Sequence, residues 1–448
     1  MRLLWSEHHK RLLWREIWVA LAEIQETYGL VSPEQSADLR AHMNDVDMER
    51  SLAIEQEIKH DLMAEIQVFA EQAKHGGAIL HLGATSMDVE DNADAMRLHQ
   101  SLDLTLTRLA SLLEILVRLI SQYAESPLIA YTHLQPAEPS TLGYRIALYA
   151  QDLLEDFKQI KNQRDAIRGK GFKGAVGTGA SYAELIGKER LSEFESRLEE
   201  KLGITFYPIA AQTYPRKQDY TLLSALAGLG QSLYKMAFDL RILQSPPFGE
   251  MAEPFGSRQV GSSAMPFKRN PIRAEKIDSL GRYLAGLPRI AWDNAAHSLL
   301  ERTLDDSANR RIILPEAFLA IDEMLKTTSE IYSDLRVNEK AMQRNLKIYG
   351  PFAATERVLM AAVKSGADRQ QMHELIRGHA LRAWEQIQAG KANPLEDLLS
   401  KDGDLTKFLK REQLLELMKF ETHLGDAPER ARQLVKQIQQ ELILKAGT

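Results

Sequence analysis

From Leu98 the apolar residues Leu102, Leu106, Leu109, Leu113, Leu116 and Ile120 recur every three to four positions, with no glycine or proline before Pro127. A 3.6-residue period sustained over that length dictates a long helix with one buried stripe. The same pattern returns over about 140–168, 217–245, 272–297 and 309–335. Five such stripes are best buried against one another, so the chain is expected to be all-α and built on a helix bundle. Pro315 lies inside the last run and is expected to kink it or to mark its first turn. Strand-like alternation is scarce, the best candidate being a short piece from Ile204 to Ile209.

Composition narrows the class without choosing a function. A chain of 448 residues exceeds one ordinary core. Its 44% hydrophobic and 26% charged residues are those of a globular protein. A net charge of −6 gives no general reason to expect nucleic acid or a membrane as partner. With no cysteine, thiolate catalysis, thiolate metal sites and disulfides are excluded. No run reaches the ~18 apolar residues of a membrane span. The first residues, MRLLWSEHHKRLLWRE, are too charged for a signal peptide, so a cytoplasmic protein is expected. Helical spacing continues through Leu13, Ile17, Leu21 and Ile24. His8 and His9 are adjacent and diverge on a helix, which makes them poor joint metal ligands.

Between the helical runs lie stretches with a different chemistry. GSSAMPFKRNP, from Gly261 to Pro271, sets Ser262 and Ser263 after a glycine and before Pro266. Helix is interrupted there, and backbone N–H groups are free to face an anion. Lys268, Arg269 and Asn270 add charge and an amide suited to carboxylates. Gly249, Gly256 and Gly261 upstream mark a loop able to close over a ligand. In HLGATS, Gly83 breaks the helix, and Thr85 and Ser86 bring hydroxyls to a new helix start near His81. His60 and Asp61 interrupt an otherwise ordinary amphipathic run. In AYTHLQPAEPSTLG, Pro136 and Pro139 hold the backbone extended just after His133, a position from which an imidazole can act as an acid. QTYPRKQDY supplies Gln212, and ERTLDDSANRR supplies Arg302, Ser307, Arg310 and Arg311, three arginines and a serine able to hold a phosphate. GKGFKG, at 169–174, satisfies G-x-G-x-x-G literally. It follows a charged helix with no βαβ unit around it, so it is read as structural or as site lining and not as a dinucleotide site.

These strings together resemble the fumarase/aspartase lyase superfamily. GSSAMPFKRNP is similar to its signature, and HLGATS to its first shared region. TH-x-QPA with the T-x-G that follows, KRNP and ERTLDDSANRR resemble the adenylosuccinate lyase branch. The resemblance implies a three-domain all-α fold: an N-terminal helical domain over 1–100, a central five-helix bundle with the signature loop over 101–340, and a C-terminal helical domain over 341–448. It implies a homotetramer whose sites are each built from three subunits. The implied reaction is elimination of fumarate from adenylosuccinate and from succinyl-aminoimidazole carboxamide ribotide, with a succinyl-purine nucleotide as the small-molecule partner and neither metal nor cofactor. Ser262 is then the base and His133 the acid, with His60 orienting. His81, Thr85, Ser86, Lys268 and Asn270 hold substrate carboxylates, with Gln212 and Glu275 beside the substrate. Arg302, Ser307 and Arg311 contact the nucleotide phosphate. Related enzymes carry an Arg-Tyr pair ahead of the first helix that touches this phosphate; the sequence starts after the place of that segment, so either its start is clipped or phosphate binding rests on those three residues alone. Two alternatives stand beside this reading: a sister lyase acting on another succinyl compound such as argininosuccinate, and a non-catalytic scaffold that keeps the fold.

Overall fold

The computed structural model describes residues 1–446, and the five long helices form as Ser86–Gln122, Leu142–Ala166, Lys217–Gln244, Ile272–Ala296 and Asp305–Ser333. The periodic residues are the buried ones: Leu102, Leu109, Leu113, Leu116 and Ile120 are each 0% exposed. Pro315 sits deep inside the last of these helices and not in its first turn. Lacking an N–H, it leaves the carbonyl of Arg311 without its usual helical donor. Ser32 and Pro33 open a short helix through a reciprocal capping box with Gln35, as their order in the sequence suggests.

The chain divides into two compact units interleaved in sequence, each long helix contributing to both. The first comprises Met1–Leu109, Asp156–Gln231 and Ser279–Leu325. Its N-terminal helix, Glu7–Glu26, buries Trp14 and Trp18, and also Arg11 and Arg15, whose charges meet the buried Glu65 at 3.4 and 2.6 Å. The glycine-rich run at 169–179 belongs to this unit and folds around a carboxylate of the chain itself. Asp88, fully buried, accepts the ammonium of Lys170, the backbone N–H groups of Lys173 (3.3 Å) and Gly174 (3.2 Å), and the hydroxyl of Tyr182 (3.2 Å). Gly177 has φ +84°, and a Cβ there would lie 1.8 Å from the carbonyl oxygen of Ala210, so only glycine fits. No strand forms from Ile204 to Ile209. The piece makes one parallel bridge, Gly169 with Phe206, because its partner is this irregular loop and not a second extended segment.

The second unit comprises Ala110–Glu155, Ser232–Asp278 and the chain from Lys326 onward. Its most regular strands are a hairpin that the sequence did not announce: β1 (Pro127–Thr132) pairs antiparallel with β2 (Gln135–Thr141), with Thr132 opposite Gln135. Two further strands of two residues each, β3 (Met251–Ala252) and β4 (Arg336–Val337), form a second small pair. The C-terminal helices Glu339–Lys364 and Arg369–Gln388 enclose a core that includes Val358, Ala362, Ile376, Leu399 and Leu414. Among the described residues no helix is long and apolar enough to cross a membrane.

Candidate active site

The first unit contains a cavity of about 420 Å³, and seven residues singled out from the sequence line it: His60, Thr85, Ser86, Gln212, Arg302, Ser307 and Arg311. They arrive from four separate stretches, each fixed locally. His60 caps the helix Asp61–Gln72, its Nδ1 accepting the N–H of Met63 at 3.4 Å. Thr85 and Ser86 stand at the head of the first long helix, where the Thr85 N–H donates to Asp88 at 3.1 Å. The clasp around Asp88 therefore also positions these two hydroxyl residues. Gln212 is tied by its N–H to the carbonyl of Glu301 at 3.1 Å, and this joins its loop to the segment carrying Arg302.

Buried charge holds the floor and one side. Arg216 pairs with Asp306 at 2.6 Å and with Asp91 at 3.0 Å. Arg310 meets Asp219 at 2.7 Å, Asp94 at 3.3 Å and the hydroxyl of Tyr214 at 2.6 Å. Arg302 reaches Asp306 at 2.8 Å, and Arg311 reaches Asp61 at 3.2 Å. Burial alone would raise the carboxyl of Asp306, but Arg216, Arg310 and Arg302 outweigh it and hold the group below its ordinary range. One terminal nitrogen of Arg216 is buried without a hydrogen-bond partner among the described residues. The cavity thus keeps a guanidinium N–H with no acceptor among the described residues, a donor suited to an anionic ligand.

His81 is not among the residues that line this cavity, and its backbone is left-handed (φ +64°). Its Nδ1 accepts the indole N–H of Trp18 at 3.1 Å, which leaves the proton on Nε2. Burial lowers the imidazole's pKa, outweighing the opposing pull of Asp88, so His81 is a neutral donor at physiological pH.

The remaining sequence candidates belong to the second unit. His133 and Leu134 form the two-residue turn of the β1–β2 hairpin, both with positive φ (53° and 58°). Such mirror-image turns favour Asn-Gly, and each bulkier residue there costs about 1–2 kcal/mol. His133 is exposed at this tip and has no hydrogen-bond partner among the described residues. Beside the hairpin, Glu250 accepts from Arg145 at 2.6 Å and Asn345 at 3.0 Å, with the Tyr131 hydroxyl at 3.5 Å.

In the signature loop, the Oγ of Ser262 accepts the N–H groups of Ala264 at 3.3 Å and Met265 at 3.1 Å. Two N–H dipoles aimed at one oxygen favour its anionic form. Gly261 passes so close to Lys268 that a Cβ would lie 2.0 Å from the latter's carbonyl oxygen, and the Asn270 amide donates to the Gly261 carbonyl at 3.0 Å. The Asn270 amide therefore also stitches the loop together. Lys268 is exposed, and Glu275 lies 3.8 Å from Arg241 near the start of the next helix. Val260 and Phe267 are 78% and 81% exposed, an apolar display that a loop closing onto another surface would bury.

The cavity also has residues that the sequence reading passed over, Lys10, Trp14, Glu90 and Asp94, together with Asp61, which it noted beside His60 without assigning it a role. Their only linear signal is adjacency or helical spacing to recognised residues, Asp61 beside His60 and Glu90 one turn after Ser86.

The architecture is that of the fumarate lyases. A fumarate lyase from Mesorhizobium sp. BNC1 superposes with a TM-score of 0.86 at 24% identity, covering 97% of each chain. The 3-carboxy-cis,cis-muconate lactonizing enzyme of Pseudomonas putida gives 0.86 at 22% identity, covering 98% of this chain and 97% of that one. In sequence, residues 20–286 match the lyase family and residues 351–434 match the adenylosuccinate lyase C-terminus. The chain is 39% identical to the adenylosuccinate lyase of Schistosoma mansoni, over 89% of this chain and 84% of that protein. It is 38% identical to that of Saccharomyces cerevisiae, with 94% and 89% covered, and 33% identical to that of Pyrococcus horikoshii, with 98% and 96% covered. The chain belongs to the adenylosuccinate lyase family.

Proposed function

We propose that this lyase releases fumarate from adenylosuccinate, leaving AMP, and from succinyl-aminoimidazole carboxamide ribotide, by anti β-elimination. The observation that carries the reading is the cavity itself. Seven residues from motifs scattered between positions 60 and 311 converge on one space, where a buried nitrogen of Arg216 has no acceptor among the described residues.

The reaction needs a base for the proton beside a carboxylate, donors for the resulting carbanion, and an acid for the departing nitrogen. Ser262 takes the carbon-bound proton, helped by the two N–H groups at its Oγ and by the charge of Lys268. The electron pair moves into the adjoining carboxylate, which Thr85, Ser86, Lys268 and Asn270 stabilise. It returns to form the carbon–carbon double bond as the C–N bond breaks, and His133 delivers a proton to the nitrogen. His60 orients, His81 supports the carboxylate side as a neutral donor, and Gln212 and Glu275 adjoin the substrate. Arg302, Ser307 and Arg311 hold the nucleotide phosphate.

His133 and Ser262 stand on exposed segments. In our reading the protein is a cytoplasmic homotetramer in which the cavity of one subunit is completed by the hairpin and the signature loop of others. The direct test is an ultraviolet assay of the purified full chain with adenylosuccinate, with products resolved by chromatography. AMP and fumarate in equal amounts are expected; a folded tetramer that yields neither would overturn the assignment.

A further inference from the structure

Glu90 lines the same cavity as Arg302, Ser307 and Arg311, one helical turn beyond Ser86. It is the odd acid there. Arg311, the cation that faces it, lies 3.2 Å from Asp61, and three more cations lining the cavity are paired with other carboxylates: Lys10 2.7 Å from Glu7, Arg97 3.4 Å from Asp94 and Arg302 2.8 Å from Asp306. Among the described residues Glu90 has no hydrogen-bond or ion-pair partner. The charged groups that face it are Asp61 at the head of the helix Asp61–Gln72, Arg311 on the helix Asp305–Ser333, and Asp91 and Asp94 on its own helix. Glu7 and Lys10 of the N-terminal helix line the cavity as well. Burial first, then Asp61, Asp94 and Asp91, push its carboxyl up to about 8 against the pull of Arg311. At neutral pH Glu90 is therefore chiefly a carboxylic acid, with a proton to donate and no acceptor on the protein to take it. An acid of this kind beside an arginine cluster fits an anionic ligand in only one state, because the ionised form would repel it.

We propose that Glu90 is a specificity-determining residue that donates its carboxyl hydrogen to the phosphate of the nucleotide, so that the cavity holds a phosphomonoester only while Glu90 keeps its proton. The inference rests on the phosphate-binding reading of this cavity given above. It separates Glu90 from a structural residue, because a structural role gives no titration linked to ligand.

The test is calorimetric titration of the full chain with AMP at pH 7 and pH 9. The phosphate's own second ionisation, near 6, is essentially complete across that window. Wild-type protein is expected to bind AMP about tenfold more weakly at pH 9, since only the protonated tenth of the population is competent one pH unit above the group's pKa. In Glu90→Gln and Glu90→Met the ratio of the two dissociation constants should fall to about one. A tenfold loss retained in either folded variant overturns the proposal. Should both variants unfold, the wild type decides alone: binding at pH 9, measured in buffers of different ionisation enthalpy, must take up close to one proton per AMP, and zero uptake refutes the idea. Wild-type protein that binds no AMP at either pH would instead remove the phosphate reading of the cavity, and the role of Glu90 with it.

Discussion

The first unit's cavity and the second unit's two segments proposed to carry the acid and the base are built on opposite principles. Around the cavity, Arg216, Arg310 and Arg302 are fixed by buried carboxylates, and the helix head bearing Thr85 and Ser86 is fixed by the clasp on Asp88. His133 and Ser262 stand on an exposed hairpin tip and on a loop that turns Phe267 to solvent. The first arrangement suits binding, where pre-organised charge meets a fixed anion without reorganising. The second suits a catalytic step that must exclude water at the moment of reaction and so depends on closure or assembly. Damage to the first region should therefore cost stability or affinity, and damage to the second should cost turnover.

The largest effect is expected at Ser262. Ser262→Ala should lower kcat by roughly 10³-fold or more, with substrate binding and thermal unfolding nearly unchanged. Normal turnover in that variant would remove Ser262 from the mechanism. On the other side of the comparison, Asp88→Asn leaves the buried ammonium of Lys170 unpaired and should cost about 3–5 kcal/mol in a urea titration. A variant as stable as wild type would mean that the clasp does not hold the first unit together.

The two close-packed glycines sharpen the contrast. Gly261→Ala forces a Cβ to within 2.0 Å of the Lys268 carbonyl and should misplace Ser262, lowering kcat by roughly 10²-fold with little change in stability. Gly177→Ala meets the Ala210 carbonyl at 1.8 Å and should act chiefly on stability. Equal stability losses in the two variants would erase the distinction between the regions. The smallest effect is expected at Arg311, which keeps part of its charge engaged with Asp61. Arg311→Gln should raise KM roughly ten- to a hundredfold and leave kcat within about threefold. A fall in kcat with KM constant would move Arg311 from binding the phosphate to serving the transition state.

What the sequence disclosed follows from the range of each interaction. The long helices were legible because a 3.6-residue period repeats within each one, and the stretch beginning at Leu102 needs no distant information. The hairpin was not, because Pro136, Pro139 and the His133–Leu134 turn carry neither alternation nor the glycine expected at positive φ. Ile204–Ile209 alternates as a strand should, yet the glycine loop beside it pairs with it in a single bridge. The seven cavity residues could be singled out because they sit in unusual strings. That they share one cavity was beyond the string, as was the clasp on Asp88, whose partners Lys170 and Tyr182 lie 82 and 94 residues away. Glu90 was passed over because a lone acid on a helix reads as solvated surface until the surrounding carboxylates are in view.

The central claim is that catalysis joins exposed segments from different subunits, and mixing two dead variants tests it most directly. His133→Ala and Ser262→Ala, each inactive alone, should recover up to about a quarter of wild-type activity when dissociated, mixed in equal amounts and reassembled, because random assortment restores that share of the sites. Hybrid tetramers verified by native mass spectrometry that show no activity above either parent would contradict the account and place His133 and Ser262 of one site on the same chain.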